Sequence, residues 1–163
     1  MSVRAFTVAQ ANAMVPSLEE LFARIDEIRA VIGERHEKLQ VLELLWGDQL
    51  EQAGNPDGAE AADLRAGMED GVLEIQRLIR ERILALGLRF PMGGLAHGLV
   101  DFPTTWQGRW VLLCWRRGEP ELVAWHELDT GFAGRQEITP DQSRRMGSED
   151  LSGDEEEEGG AWM

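Results

Sequence analysis

From Leu18 onward the apolar residues recur at alternating steps of three and four: Leu18, Leu21, Ile25, Ile28, Ile32, Leu39, Leu42 and Trp46, with Arg35 the one interruption. Such spacing lays every member along one edge of an α-helix, the seam by which a helix packs on a partner. The stretch therefore reads as one long amphipathic rod over about residues 17–50, roughly 50 Å at 1.5 Å per residue. Pro16 suits its first turn, where a missing N–H costs nothing. Glu19 and Glu20 place negative charge at the positive end of the helix dipole. A shorter helix over about 8–14 precedes it, opened by Thr7 and Gln10 at capping-box spacing.

The partner follows at once. Ala53-Gly54-Asn55-Pro56-Asp57-Gly58 is dense in turn residues. A second helix over about 59–86 carries the stripe Leu64, Met68, Val72, Ile75, Ile79, Arg82/Ile83 and Leu86. Gly67 and Gly71 weaken it or let the first helix approach closely, and Gly87 sits where a left-handed C-terminal cap belongs. Two helices joined by so short a loop lie antiparallel.

Beyond Gly87 the pattern changes to short runs rich in Val, Leu and Trp between Gly and Pro. Leu99–Phe102 reads as a strand stopped by Pro103, Thr104–Gly108 as a connecting turn, Arg109–Trp115 and Glu121–Glu127 as two further strands. Short connections make the pairing antiparallel. The expected fold is α+β: a long antiparallel helical hairpin followed by a small antiparallel sheet over about 88–138, one folded domain over 1–139. Residues 140–163 are almost devoid of apolar side chains and read as a disordered acidic tail.

Charge and cysteine usage narrow the function classes. The net charge is −14, and seven acids with no base fall between Glu149 and Glu158. The remainder is still acidic, which argues against nucleic acid and against an anionic membrane surface. The N-terminus has no apolar signal core and no run long enough to span a bilayer occurs, so a cytoplasmic location is expected. Cys114 is the only cysteine. It allows no internal disulfide, and within the run Val111–Trp115 it reads as a small buried hydrophobe.

Several segments resemble a known family. They are Gly98-Leu99-Val100-Asp101-Phe102-Pro103, Leu113-Cys114-Trp115-Arg116, Gly118-Glu119-Pro120-Glu121, Trp125-His126-Glu127-Leu128-Asp129 and Gly131-Phe132-Ala133-Gly134-Arg135-Gln136. Together with Phe6-Thr7, Ala11-Asn12-Ala13 and Pro16, they are similar to the uncharacterised bacterial family called domain of unknown function 2203, over about 6–138. The resemblance implies the fold and a bacterial cytoplasmic setting; it brings no activity, cofactor or catalytic residue.

Three functional readings remain. The first is a non-enzymatic homodimeric interaction or scaffold module. A sheet of short strands spans roughly 20 Å and cannot cover so long a hairpin, whose far end carries Leu39, Leu42, Leu45, Trp46, Leu64 and Met68, with Val41, Leu44 and Leu45 off the seam. A four-helix arrangement between two copies would cover them. The second is a divalent-metal protein or metal-dependent enzyme built on His97, His126, Glu127 and Asp129, residue types suited to zinc or non-haem iron. On a strand, however, His126 and Glu127 point to opposite faces. The third is a sensor of a small anion at Arg109, Arg116, Trp115, Trp125 and Arg135. A structural alternative for Arg135 is a pair with Glu127 or Asp129.

Overall fold

A computed structural model describes residues 3–148. Two compact units divide the chain: one takes the N-terminal segment to Glu19 together with everything from Ile83 onward, the other is Glu20–Arg82.

In the first unit the capping box forms as its spacing predicts. Thr7 N donates to Gln10 Oε1 at 3.0 Å, and Gln10 N to Thr7 Oγ1 at 3.1 Å. The helix α1 that it opens runs without a break from Val8 to Trp46, with Pro16 inside it. The expected division into 8–14 and 17–50 is therefore absent.

A four-stranded antiparallel sheet follows in the order β1 (Leu99–Trp106), β2 (Arg109–Arg116), β3 (Ala124–His126) and β4 (Gln136–Glu137). β1 runs through Pro103 instead of stopping there. The backbone N–H and C=O of Asp101 both pair outward with Arg89, and two residues on the Pro103 carbonyl accepts from Phe6 N at 2.8 Å. The proline nitrogen thus points away from β2, and its missing proton costs no ladder bond. The connection is the two-residue turn Gln107-Gly108, both at positive φ, which matches the twist of the strands it joins. Strand 121–127 is likewise shorter than expected, because Leu122 N is taken by Asn12 Oδ1 at 2.7 Å.

The expected disorder from residue 140 is corrected by a short helix, Pro140–Arg145. Thr139 Oγ1 accepts from Gln142 N while Gln142 Oε1 accepts from Thr139 N, and Pro140 occupies the first turn. Met146 is buried, and Gly147 N donates to Thr105 O at 3.0 Å. The acidic run from Glu149 lies outside the described residues.

In the second unit the α1 seam faces inward as its spacing requires: Leu21, Ile25, Ile28, Leu39 and Leu42 are all buried. α2 (Gly58–Arg82) returns beside it. The buried edge of α2 is Ala61, Leu64 and Leu78, with Met68 packed partly against it. Val72, placed in the stripe by sequence, is 45% exposed. Gly71 takes the seam position: a Cβ there would lie 2.8 Å from Ile32 Cγ1. A Cβ on Gly67 would run into the guanidinium of Arg35, the residue that interrupts the α1 seam. Arg35 Nη1 in turn donates to Asp63 O at 3.2 Å. Both glycines thus make room for side chains of α1. The helical turn Leu84–Leu86 belongs to the other unit and ends on left-handed Gly87, as expected.

Candidate functional site

Alternation along the strands sorts the sheet into two faces. The register pairs Val100 with Trp115, Phe102 with Leu113 and Leu113 with Trp125 on one face; it pairs Asp101 with Cys114 and Leu112 with His126 on the other. Trp115 and Trp125 thus share a face, offset by two positions. Both are buried, and Trp115 Nε1 donates to Glu119 O at 2.9 Å. They belong to the core and do not wall an open pocket.

The arginines expected beside them divide between two places. Arg109 forks onto Glu127, with Nη2 at 2.6 Å from Oε1 and Nε at 3.2 Å from Oε2. This hydrogen bond holds the Glu127 carboxyl below its usual range. Arg135 pairs with Glu119, not with Glu127 or Asp129, and also donates to Cys114 O at 3.0 Å. The Glu119 carboxylate accepts from Arg116 N as well, so it closes the loop between β2 and β3. Arg116 lies on the face opposite the tryptophans, where its guanidinium and that of Arg135 both stand over the Phe132 ring, 6.0 and 5.4 Å from its centroid. Of the five residues named for an anion site, Arg116 and Arg135 meet over Phe132, Arg109 is engaged by Glu127, and Trp115 and Trp125 lie in the core.

The metal set is redrawn in the same way. Among the described residues, the donors that converge are Asp101, Cys114 and His126, whose ligand atoms lie within 4.8 Å of one another. Glu127 is engaged by Arg109 on the opposite face. Asp129 and His97 are exposed, and His97 lines a surface pocket with Met92, Leu99, Arg116 and Phe132.

The geometry at His126 is specific. Nδ1 lies 2.7 Å from Glu127 O, so it carries a proton; Nε2 lies 3.1 Å from Asp101 Oδ1. Both residues are 1% exposed and Cys114 is fully buried. Burial alone pulls the imidazole pKa down, but hydrogen bonds to Asp101, to Cys114 and to the Glu127 carbonyl outweigh it and lift it to about 10. His126 is therefore held as the cationic half of a buried pair with Asp101, satisfied on both ring nitrogens.

Sequence reasoning read Cys114 as a small buried hydrophobe, which it is, and left Asp101 out of the metal set. A signal was present. With the turn placed at Gln107-Gly108, counting outward from Trp106 and Arg109 brings Asp101 opposite Cys114.

The second unit offers a surface of different character. Leu39, Leu42, Leu50, Ala61 and Leu64 form a core of their own, with Trp46 and Met68 packed partly against it. Trp46 Nε1 also donates to Asp57 Oδ2 at 2.8 Å. Leu39, Leu42 and Leu64, named above for contact between copies, are thus already covered within the hairpin. Val41, Leu44 and Leu45 are 55%, 87% and 69% exposed.

No helix among the described residues is long and apolar enough to cross a membrane. In comparisons with known proteins, no curated protein and no solved structure matches the chain. The model of a family described as an uncharacterized conserved protein (DUF2203) matches residues 4–138.

Proposed function

The chain belongs to the uncharacterized conserved family DUF2203, which brings no activity with it, and we propose from the surface of the hairpin that it is a homodimeric interaction module. The observation that carries this reading is the exposure of Val41, Leu44 and Leu45. Their spacing of three and four puts them side by side on one face of α1. Each large aliphatic side chain buried contributes roughly 1.5–3 kcal/mol, and contiguous exposed aliphatics mark contact surfaces.

The face is complementary to itself. When two copies of α1 lie antiparallel about a two-fold axis at the level of residue 43, Val41 of each copy meets Leu45 of the other. This is the reciprocal pairing that an isologous interface requires.

Sedimentation equilibrium at micromolar concentration tests the reading. The expected species is a dimer that Leu44→Glu with Leu45→Glu converts to a monomer of unchanged helix content. A monomeric wild-type protein would overturn the reading.

A further inference from the structure

The interior of the sheet unit holds three side chains of a kind seldom buried together without a shared ligand. Asp101 comes from β1, Cys114 from β2 and His126 from β3, so three strands each supply one donor to one point. We propose that Asp101 Oδ1, Cys114 Sγ and His126 Nε2 are the ligands of a divalent transition metal of the zinc class. The proposal is independent of self-association, since none of these residues lies in the hairpin unit.

The geometry supports it at two levels. In a tetrahedral site with metal–nitrogen and metal–oxygen bonds near 2.0–2.1 Å and a metal–sulfur bond near 2.3 Å, donors lie about 3.3–3.7 Å apart. Nε2 and Oδ1 are 3.1 Å apart and the whole set is within 4.8 Å. Side-chain shifts of about 1 Å complete the site. Around the donors, the Glu127 carbonyl holds the proton of His126 at Nδ1. That leaves Nε2 as the ligating nitrogen, the arrangement by which a backbone acceptor orients a metal-bound imidazole. The β2–β3 pairing and the Arg135 bond to Cys114 O fix the strands that carry the sulfur and the ring.

The donor chemistry selects the ion. One thiolate, one imidazole and one carboxylate suit zinc or cobalt and disfavour magnesium and calcium, which prefer oxygen alone. On binding, the ion takes the place of the Nε2 proton and of the thiol proton, and both leave to solvent. Three protein ligands leave a fourth position for water or a small anion.

Cobalt titration of the chelator-treated full-length protein tests the assignment. The expected result is one equivalent of Co2+ bound, with a thiolate-to-cobalt charge-transfer band in the near ultraviolet that Zn2+ abolishes. His126→Gln and Asp101→Asn, near-isosteric changes, should each lower the cobalt affinity at least tenfold while far-UV circular dichroism stays unchanged. Should the variants not fold, the wild-type spectrum alone decides. Absence of the band in the wild-type protein, or a band of undiminished affinity in folded His126→Gln, would overturn the proposal.

Discussion

At the scale of single residues, the interior of the sheet is organised by a charge. His126 is clamped between the Glu127 carbonyl and the Asp101 carboxylate, and its pKa rises from 6.5 to about 10. A histidine raised on folding binds its proton more tightly in the native state. In the metal-free protein its contribution to stability is complete below the unfolded value and is lost as the pH climbs through the folded one. Urea denaturation of chelator-treated wild-type and His126→Gln proteins should show the largest gap near pH 6, narrowing steadily to about pH 10. A gap that stays constant over that range would contradict the clamp. A simpler residue effect sits at Thr139, whose hydroxyl and amide both serve the cap of the helix Pro140–Arg145. Thr139→Ala should cost about 1 kcal/mol, read as a lower denaturation midpoint with an unchanged slope. The capping pattern that correctly opened α1 at Thr7 and Gln10 recurs at Thr139 and Gln142. It was hidden because the surrounding composition looked like tail.

At the scale of elements, the two hairpin helices show how a seam is completed by what is missing. The α1 stripe is legible because its members are large and apolar. The α2 stripe is legible only in part, because one of its positions is Gly71, which has no side chain to announce it. Ile32 fills that space. Gly71→Val should therefore destabilise the hairpin by roughly 1–3 kcal/mol through overpacking. Gly33 lies in the same helix as Ile32, but nothing stands within 4 Å of a Cβ added there. Gly33→Ala should stabilise by up to about 1 kcal/mol through helix propensity alone. Thermal denaturation of the two variants gives shifts of opposite sign, and two shifts of the same sign would refute this account of the pair. The β1–β2 hairpin carries a similar lesson. Pro103 looks like a stop in the sequence, yet its nitrogen faces outward from the ladder, so the strand continues and the turn moves to Gln107-Gly108.

At the scale of the whole molecule, net charge competes with the apolar face of α1. Two chains of −14 each repel, and the repulsion is screened within about 10 Å at 0.1 M salt. Raising the salt from about 20 to about 200 mM should therefore tighten the dimer; a dimer that weakens steeply would show that charge, not apolar contact, holds it. The amino-acid sequence by itself determined the helical hairpin, the sheet that follows it and the capping of α1, because helix periodicity, turn chemistry and capping are local and repeat at fixed spacing. Tertiary structure alone decided that Leu39, Leu42 and Leu64 are spent inside the hairpin while Val41, Leu44 and Leu45 remain outside. It also decided that Asp101, Cys114 and His126 share one interior point. Their meeting depends on strand register across two connections. A shift of a single residue in either would turn a donor to the opposite face.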